Sequence, residues 1–85
     1  MEKSNLFAKA VGEYIFAMRY DKSIRQKDLC RLVQISQSTL RRIEKGQVEV
    51  SAYTLRKIVL ALGEDMPGFW SKVEKILAVM EKNEE

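Results

Sequence analysis

Between Gln26 and Lys45 the apolar residues Leu29, Val33, Ile35, Leu40 and Ile43 follow one another at intervals of four, two, five and three. A helix repeats roughly every 3.6 residues and a strand roughly every 2, so neither alone accommodates that series. A short helix, a sharp turn at Val33-Gln34-Ile35 and a second helix crossing the first do. Cys30 falls where the two helices meet, and helices crossing at a steep angle need a short side chain at the contact.

The rest of the chain is consistent with further helices. One proline and four glycines leave little material for a many-turned β-fold. Phe7, Val11, Tyr14 and Met18 recur at helical spacing and predict a first helix from about Asn5 to Tyr20, with Ser4 as its cap. Asp21-Lys22-Ser23 breaks that pattern. A second helix from about Gln26 to Val33 buries Leu29, Cys30 and Val33, with its start at Ser23 or Arg25. The third runs from Ser36 or Gln37 to Lys45, capped by Ser36 and closed by Gly46. Gln47-Val48-Glu49-Val50 alternates like a strand but is so short that we read it as an extended connector. A fourth helix follows Ser51 and ends at Leu62-Gly63, with Leu55, Ile58, Val59 and Leu62 inward. Asp65-Met66-Pro67 restarts the chain into a fifth helix from Pro67 to about Lys82. Its Phe69, Trp70, Val73, Ile76, Leu77 and Met80 form one apolar stripe, and residues 83–85 should fray. The expectation is a single all-α domain of five helices within 85 residues.

Several function classes are disfavoured by what is missing. There is no histidine, so neither the usual imidazole metal ligand nor the usual general base near neutral pH is present. The single cysteine, Cys30, makes no internal disulfide and reads as an inert core thiol. No metal constellation, phosphate loop or paired carboxylate suggests an enzyme, and no cofactor or metal is expected. The first residues carry no apolar secretory core and no run approaches a membrane span, which makes a cytoplasmic location the default. The net charge of +3 is unevenly spread: residues 19–57 carry ten basic and four acidic groups, and residues 58–85 three basic and six acidic. The middle of the chain is therefore the part suited to a polyanion. No aromatic residue interleaves with the basic ones over residues 25–45, which argues against single-stranded DNA or RNA.

The segment Ile24-Arg25-Gln26-Lys27-Asp28-Leu29-Cys30 followed by Ile35-Ser36-Gln37-Ser38-Thr39-Leu40-Arg41-Arg42-Ile43-Glu44-Lys45-Gly46 resembles the XRE, lambda-repressor-like (Cro-like) helix-turn-helix family. The fourth helix, ending Ala61-Leu62-Gly63, is similar too, and the resemblance spans about residues 8–63. It departs from the family pattern at Gln34, where glycine is usual, at Cys30, where alanine is usual, and at Arg25, where a capping Ser or Thr is usual. A non-glycine residue in the turn costs about 1 kcal/mol. The resemblance implies a lambda-repressor-like fold with its helix-turn-helix at about 26–45, and a bacterial or phage regulator acting at the nucleoid. Small controller proteins of restriction-modification systems are the nearest likeness within the family, with phage repressors and antitoxin regulators also open.

In such a motif the second helix lies in the major groove with its first residues at base edges. That directs Gln37, Ser38 and Arg42 to bases and places Thr39 and Arg41 at the groove walls; Gln pairs bidentately with adenine and Arg with guanine. Gln26, at a helix start, suits a phosphate, and Arg25, Lys27, Ser36 and Lys45 suit the DNA backbone. Each also has a plainer reading, as a first-turn polar residue or a solvated surface charge. Arg19 and Glu44 stand where the family places a buried ion pair and are expected to be structural. One motif reads only a few base pairs, so a homodimer on a palindromic operator is expected. Phe69, Trp70, Val73, Leu77 and Met80 are its candidate interface, with Phe69 and Val73 also facing the protomer's own core. The alternative is an antitoxin or adaptor whose last helix binds another protein.

Overall fold

The computed structural model describes residues 5–84; Ser4, expected to cap the first helix, and Glu85 lie outside them. Five helices follow in order, α1 (Asn5–Asp21), α2 (Gln26–Val33), α3 (Gln37–Glu44), α4 (Ala52–Ala61) and α5 (Met66–Asn83), and the described residues include no strand. The connector over 47–50 bends without pairing.

Local chemistry sets most of the boundaries. Ser36, Ser51 and Asp65 each cap a helix, accepting from the backbone N–H of Thr39 (3.0 Å), Thr54 (3.2 Å) and Gly68 (2.7 Å). Between the two candidate starts of α2, the structure takes Arg25, which has extended backbone and no side-chain cap bond. Ser23 instead turns the chain with φ 58°. α2 ends at Gln34, whose φ of 62° and ψ of 50° are left-handed, and the N–H groups of Gln34 and Ile35 both reach the Cys30 carbonyl, at 2.7 and 3.1 Å. A side chain in that conformation is strained. Gln34→Gly is therefore expected to raise stability by about 0.5–1 kcal/mol, the relief being partly offset by glycine's freer unfolded chain; thermal unfolding measures it.

The helices pack as α1 on α5 and α3, α2 on α3 and α4, and α4 on α5. Because α1 meets two partners, its buried arc is wider than the stripe read from Phe7, Val11, Tyr14 and Met18: Ala8, Ala10 and Ile15 are buried as well. Leu29, Leu40, Ile58, Leu62, Phe69 and Val73 complete the centre. Tyr14 meets Phe69 edge to face, with ring centroids 5.0 Å apart.

The Tyr14 hydroxyl is buried with no hydrogen-bond partner among the described residues. Burial, then the carboxylates of Glu64 and Asp65, push its pKa up from 10.0 to about 12. The unfolded chain therefore loses this proton first, and the stability tied to the neutral hydroxyl is lost as pH rises through that window. Tyr14→Phe is expected to flatten the alkaline arm of the stability profile and to leave neutral-pH stability unchanged or slightly raised, since an unpaired buried hydroxyl is removed. Urea denaturation across that range reads both effects.

Candidate nucleic-acid interface

The third helix is held by its C-terminal end. Gly12 of α1 lies so near it that a Cβ there would fall against the carbonyl oxygen of Ile43 and 2.7 Å from that of Glu44. Beyond the helix, Gly46 (φ 72°) sits beneath Lys9. Leu40 and Ile43 are buried in the core. At about 100° per residue, Gln37, Arg41, Lys45, Ser38 and Arg42 then share roughly 140° of arc on the opposite side, and all five are exposed. The result is a short helix with a polar, basic outer face, a free first turn and an anchored end.

The predicted contact residues do not all have the same freedom. Ser36 is exposed, but its hydroxyl caps α3 and donates to Thr39 Oγ1 at 2.8 Å, so both hydroxyls serve the helix start. Ser38 Oγ lies 3.4 Å from Ser36 Oγ. Lys27 is exposed; Arg25 is exposed too, but its Nε donates to Asp28 Oδ2 at 3.0 Å, so part of its charge is offset. Arg56 is exposed on α4, where Lys57 lies 4.9 Å from the Tyr53 ring centre. None of these three is among the expected contact residues, although Arg56 and Lys57 belong to the basic stretch 19–57.

Arg19 and Glu44 form an ion pair. Arg19 Nε donates to Glu44 Oε2 at 2.7 Å and Nη2 to Oε1 at 3.1 Å, while Nη1 donates to the Ile24 carbonyl at 3.1 Å. The side chains are 14% and 6% exposed, so the pair lies largely out of solvent and joins α1 to α3. Gln26 enters the same cluster, its Nε2 donating to Glu44 Oε1 at 3.1 Å. Cys30 is buried and its Sγ lies 3.5 Å from the Ser36 carbonyl. Burial first, and Glu44 next, push its thiol pKa up, which suits an unreactive packing role.

On the last helix, Phe69 and Val73 are fully buried within the protomer. They face the protomer's own core, as expected for these two, and leave the outward part of the candidate interface to Trp70, Leu77 and Met80. Trp70 is 48% exposed, with its ring 5.7 Å from that of Phe7. Leu77 and Met80 are half-buried, and Val79, outside the predicted stripe, is 61% exposed. A shallow groove runs between α1 and α5 along Glu13, Lys75, Ile76, Val79, Met80 and Asn83. Among the described residues no His, Cys, Asp and Glu group could hold a metal ion, and no helix is long and apolar enough to cross a membrane.

A helix-turn-helix family model matches residues 17–69. Two solved structures of the clp gene regulator ClgR from Corynebacterium glutamicum share the fold. One aligns with a TM-score of 0.86 at 24% identity, covering 92% of this chain and 83% of that one. The other has a TM-score of 0.79 at 24% identity, covering 84% and 91%. No curated protein matches the chain.

Proposed function

The chain belongs to the XRE, lambda-repressor-like helix-turn-helix family of DNA-binding transcriptional regulators, and from that premise we propose that it is a sequence-specific regulator that binds a palindromic operator as a homodimer. The observation carrying this reading is the outer face of α3, where Gln37, Ser38, Arg41, Arg42 and Lys45 are exposed together on a helix fixed from behind. A helix is about 10–12 Å across with its side chains, which suits the roughly 12 Å width of a major groove.

In this reading Gln37, Ser38 and Arg42 meet base edges, and Arg41 and Thr39 stand at the groove walls. Gln26, Arg25, Lys27 and Lys45 meet phosphates, joined by the backbone at Ser36, whose hydroxyl is occupied in the cap. Trp70, Leu77 and Met80, with Val79, form the surface shared between protomers, and the chain acts as one domain whose last helix is its means of dimerisation. The exposed apolar area at Trp70 and Val79 supports that assignment. Output is occupancy of the operator, with no catalytic step.

Two substitutions, one in the first turn of α3 and one at its C-terminal cap, separate reading from positioning. Gln37→Ala is expected to weaken the preferred site by about 1–3 kcal/mol and to relax preference at one base pair per half-site. Lys45→Ala is expected to weaken all duplexes alike and to reduce the salt dependence by about one ion. Equilibrium titrations on the preferred duplex and its single-base variants measure both; an unchanged base preference in Gln37→Ala would remove Gln37 from the reading face.

A further inference from the structure

Gln26 does not hang free at the surface: it is partly buried and its amide is tied to the ion pair beneath it. A carboxylate only accepts, so the end of the amide facing Glu44 is the nitrogen. Glu44 Oε1 takes one Nε2 proton of Gln26 together with Arg19 Nη2, both at 3.1 Å, and Oε2 takes Arg19 Nε. The second Nε2 proton has no acceptor among the described residues. A phosphate oxygen also only accepts, so the remaining Nε2–H can donate to one; with the amide turned over, the Gln26 Oε1 would face the Glu44 carboxylate and be repelled. The Glu44 side chain is only 6% exposed, so it acts on a ligand at the surface through Gln26.

We infer that Glu44 is a positioning residue for DNA binding: it orients the Gln26 amide so that the free Nε2–H donates to a backbone phosphate. The inference rests on the proposed operator-binding reading. It makes the Arg19–Glu44 pair part of the register of the protein on DNA as well as part of its fold, because α1, α2 and α3 all meet at this one carboxylate.

The test uses the preferred duplex with single phosphates replaced by methylphosphonates, which cannot accept as a charged group. With the unmodified protein, one position per half-site should weaken binding about tenfold, and Gln26→Ala should erase that sensitivity. Glu44→Gln, and Glu44→Asp, which keeps the charge but withdraws the acceptor, should each reduce it to about twofold or less while other phosphates keep their effects. Affinities are compared at a temperature where melting curves show each variant folded. A purely structural Glu44 would weaken all positions together, and a folded Glu44 variant that keeps the tenfold sensitivity overturns the inference. Should neither variant fold, proton exchange of the Gln26 side-chain amide in the unmodified protein decides. One slowed Nε2 proton supports the assignment, and two exchanging at the free-glutamine rate refute it. Failure to bind any duplex is a separate result, which overturns the operator-binding reading and this inference with it.

Discussion

Gly12→Ala is expected to destabilise the fold by about 3 kcal/mol or more, lowering the melting temperature by roughly 12–24 °C. Helix propensity alone predicts the opposite, because glycine inside a helix is about 1 kcal/mol worse than alanine. The sign turns on what the added carbon meets. At Gly12 it meets the carbonyl oxygens of Ile43 and Glu44, which are backbone atoms at the end of α3 and cannot rotate aside as a side chain can. Relief requires α1 and α3 to separate, which opens the Arg19–Glu44 bonds and the packing around Ile15 and Ile43. A circular-dichroism melt measures the loss. A neutral or stabilising Gly12→Ala would mean that the two helices do not approach this closely.

Removing one half of the ion pair has the next largest effect. Glu44→Ala is expected to cost about 3–5 kcal/mol, since it leaves the Arg19 guanidinium largely out of solvent without its carboxylate. The low end of that range applies, because Nη1 keeps the Ile24 carbonyl. The energy belongs to the broken pair and does not measure the worth of the intact one. Accordingly, Arg19→Met combined with Glu44→Leu should recover most of the loss. Urea denaturation of the single and double variants checks this, and a double variant no more stable than Glu44→Ala would contradict it.

The pattern from Gln26 to Lys45 was enough to anticipate α2, α3 and the turn between them, because interior spacing and a serine cap act locally. The end of α2 at Val33 and the start of α3 at Gln37 follow from those signals, whereas in the sequence the start of α2 stays open between Ser23 and Arg25 because neither caps it. What the sequence concealed depends on which helices become neighbours. Nothing local in the sequence marks Gly12; its role comes from the end of α3 lying against it. Ala10 and Ile15 stood off the expected stripe and are buried because α1 is covered from two sides. In the candidate site, the exposed arc of α3 follows from helical geometry once Leu40 and Ile43 are known to be inside. The bond between Gln26 and Glu44 spans 18 residues and joins two helices, so no local pattern announces it. Likewise the apolar stripe of α5 mixes inner and outer residues: Phe69 and Val73, expected to face inward, are fully buried, whereas Trp70 is half exposed and Val79, off the stripe, is more so.

The central claim, that the outer face of α3 reads duplex DNA as one half of a two-fold pair, is tested most directly by selecting binders from a pool of random duplexes and titrating the enriched duplex at two salt concentrations. Two symmetric half-sites centred about 34 Å apart are expected. Affinity should fall steeply between about 50 and 200 mM salt, and the sequence preference should weaken in Gln37→Ala. Enrichment of no sequence above bulk DNA would contradict the claim.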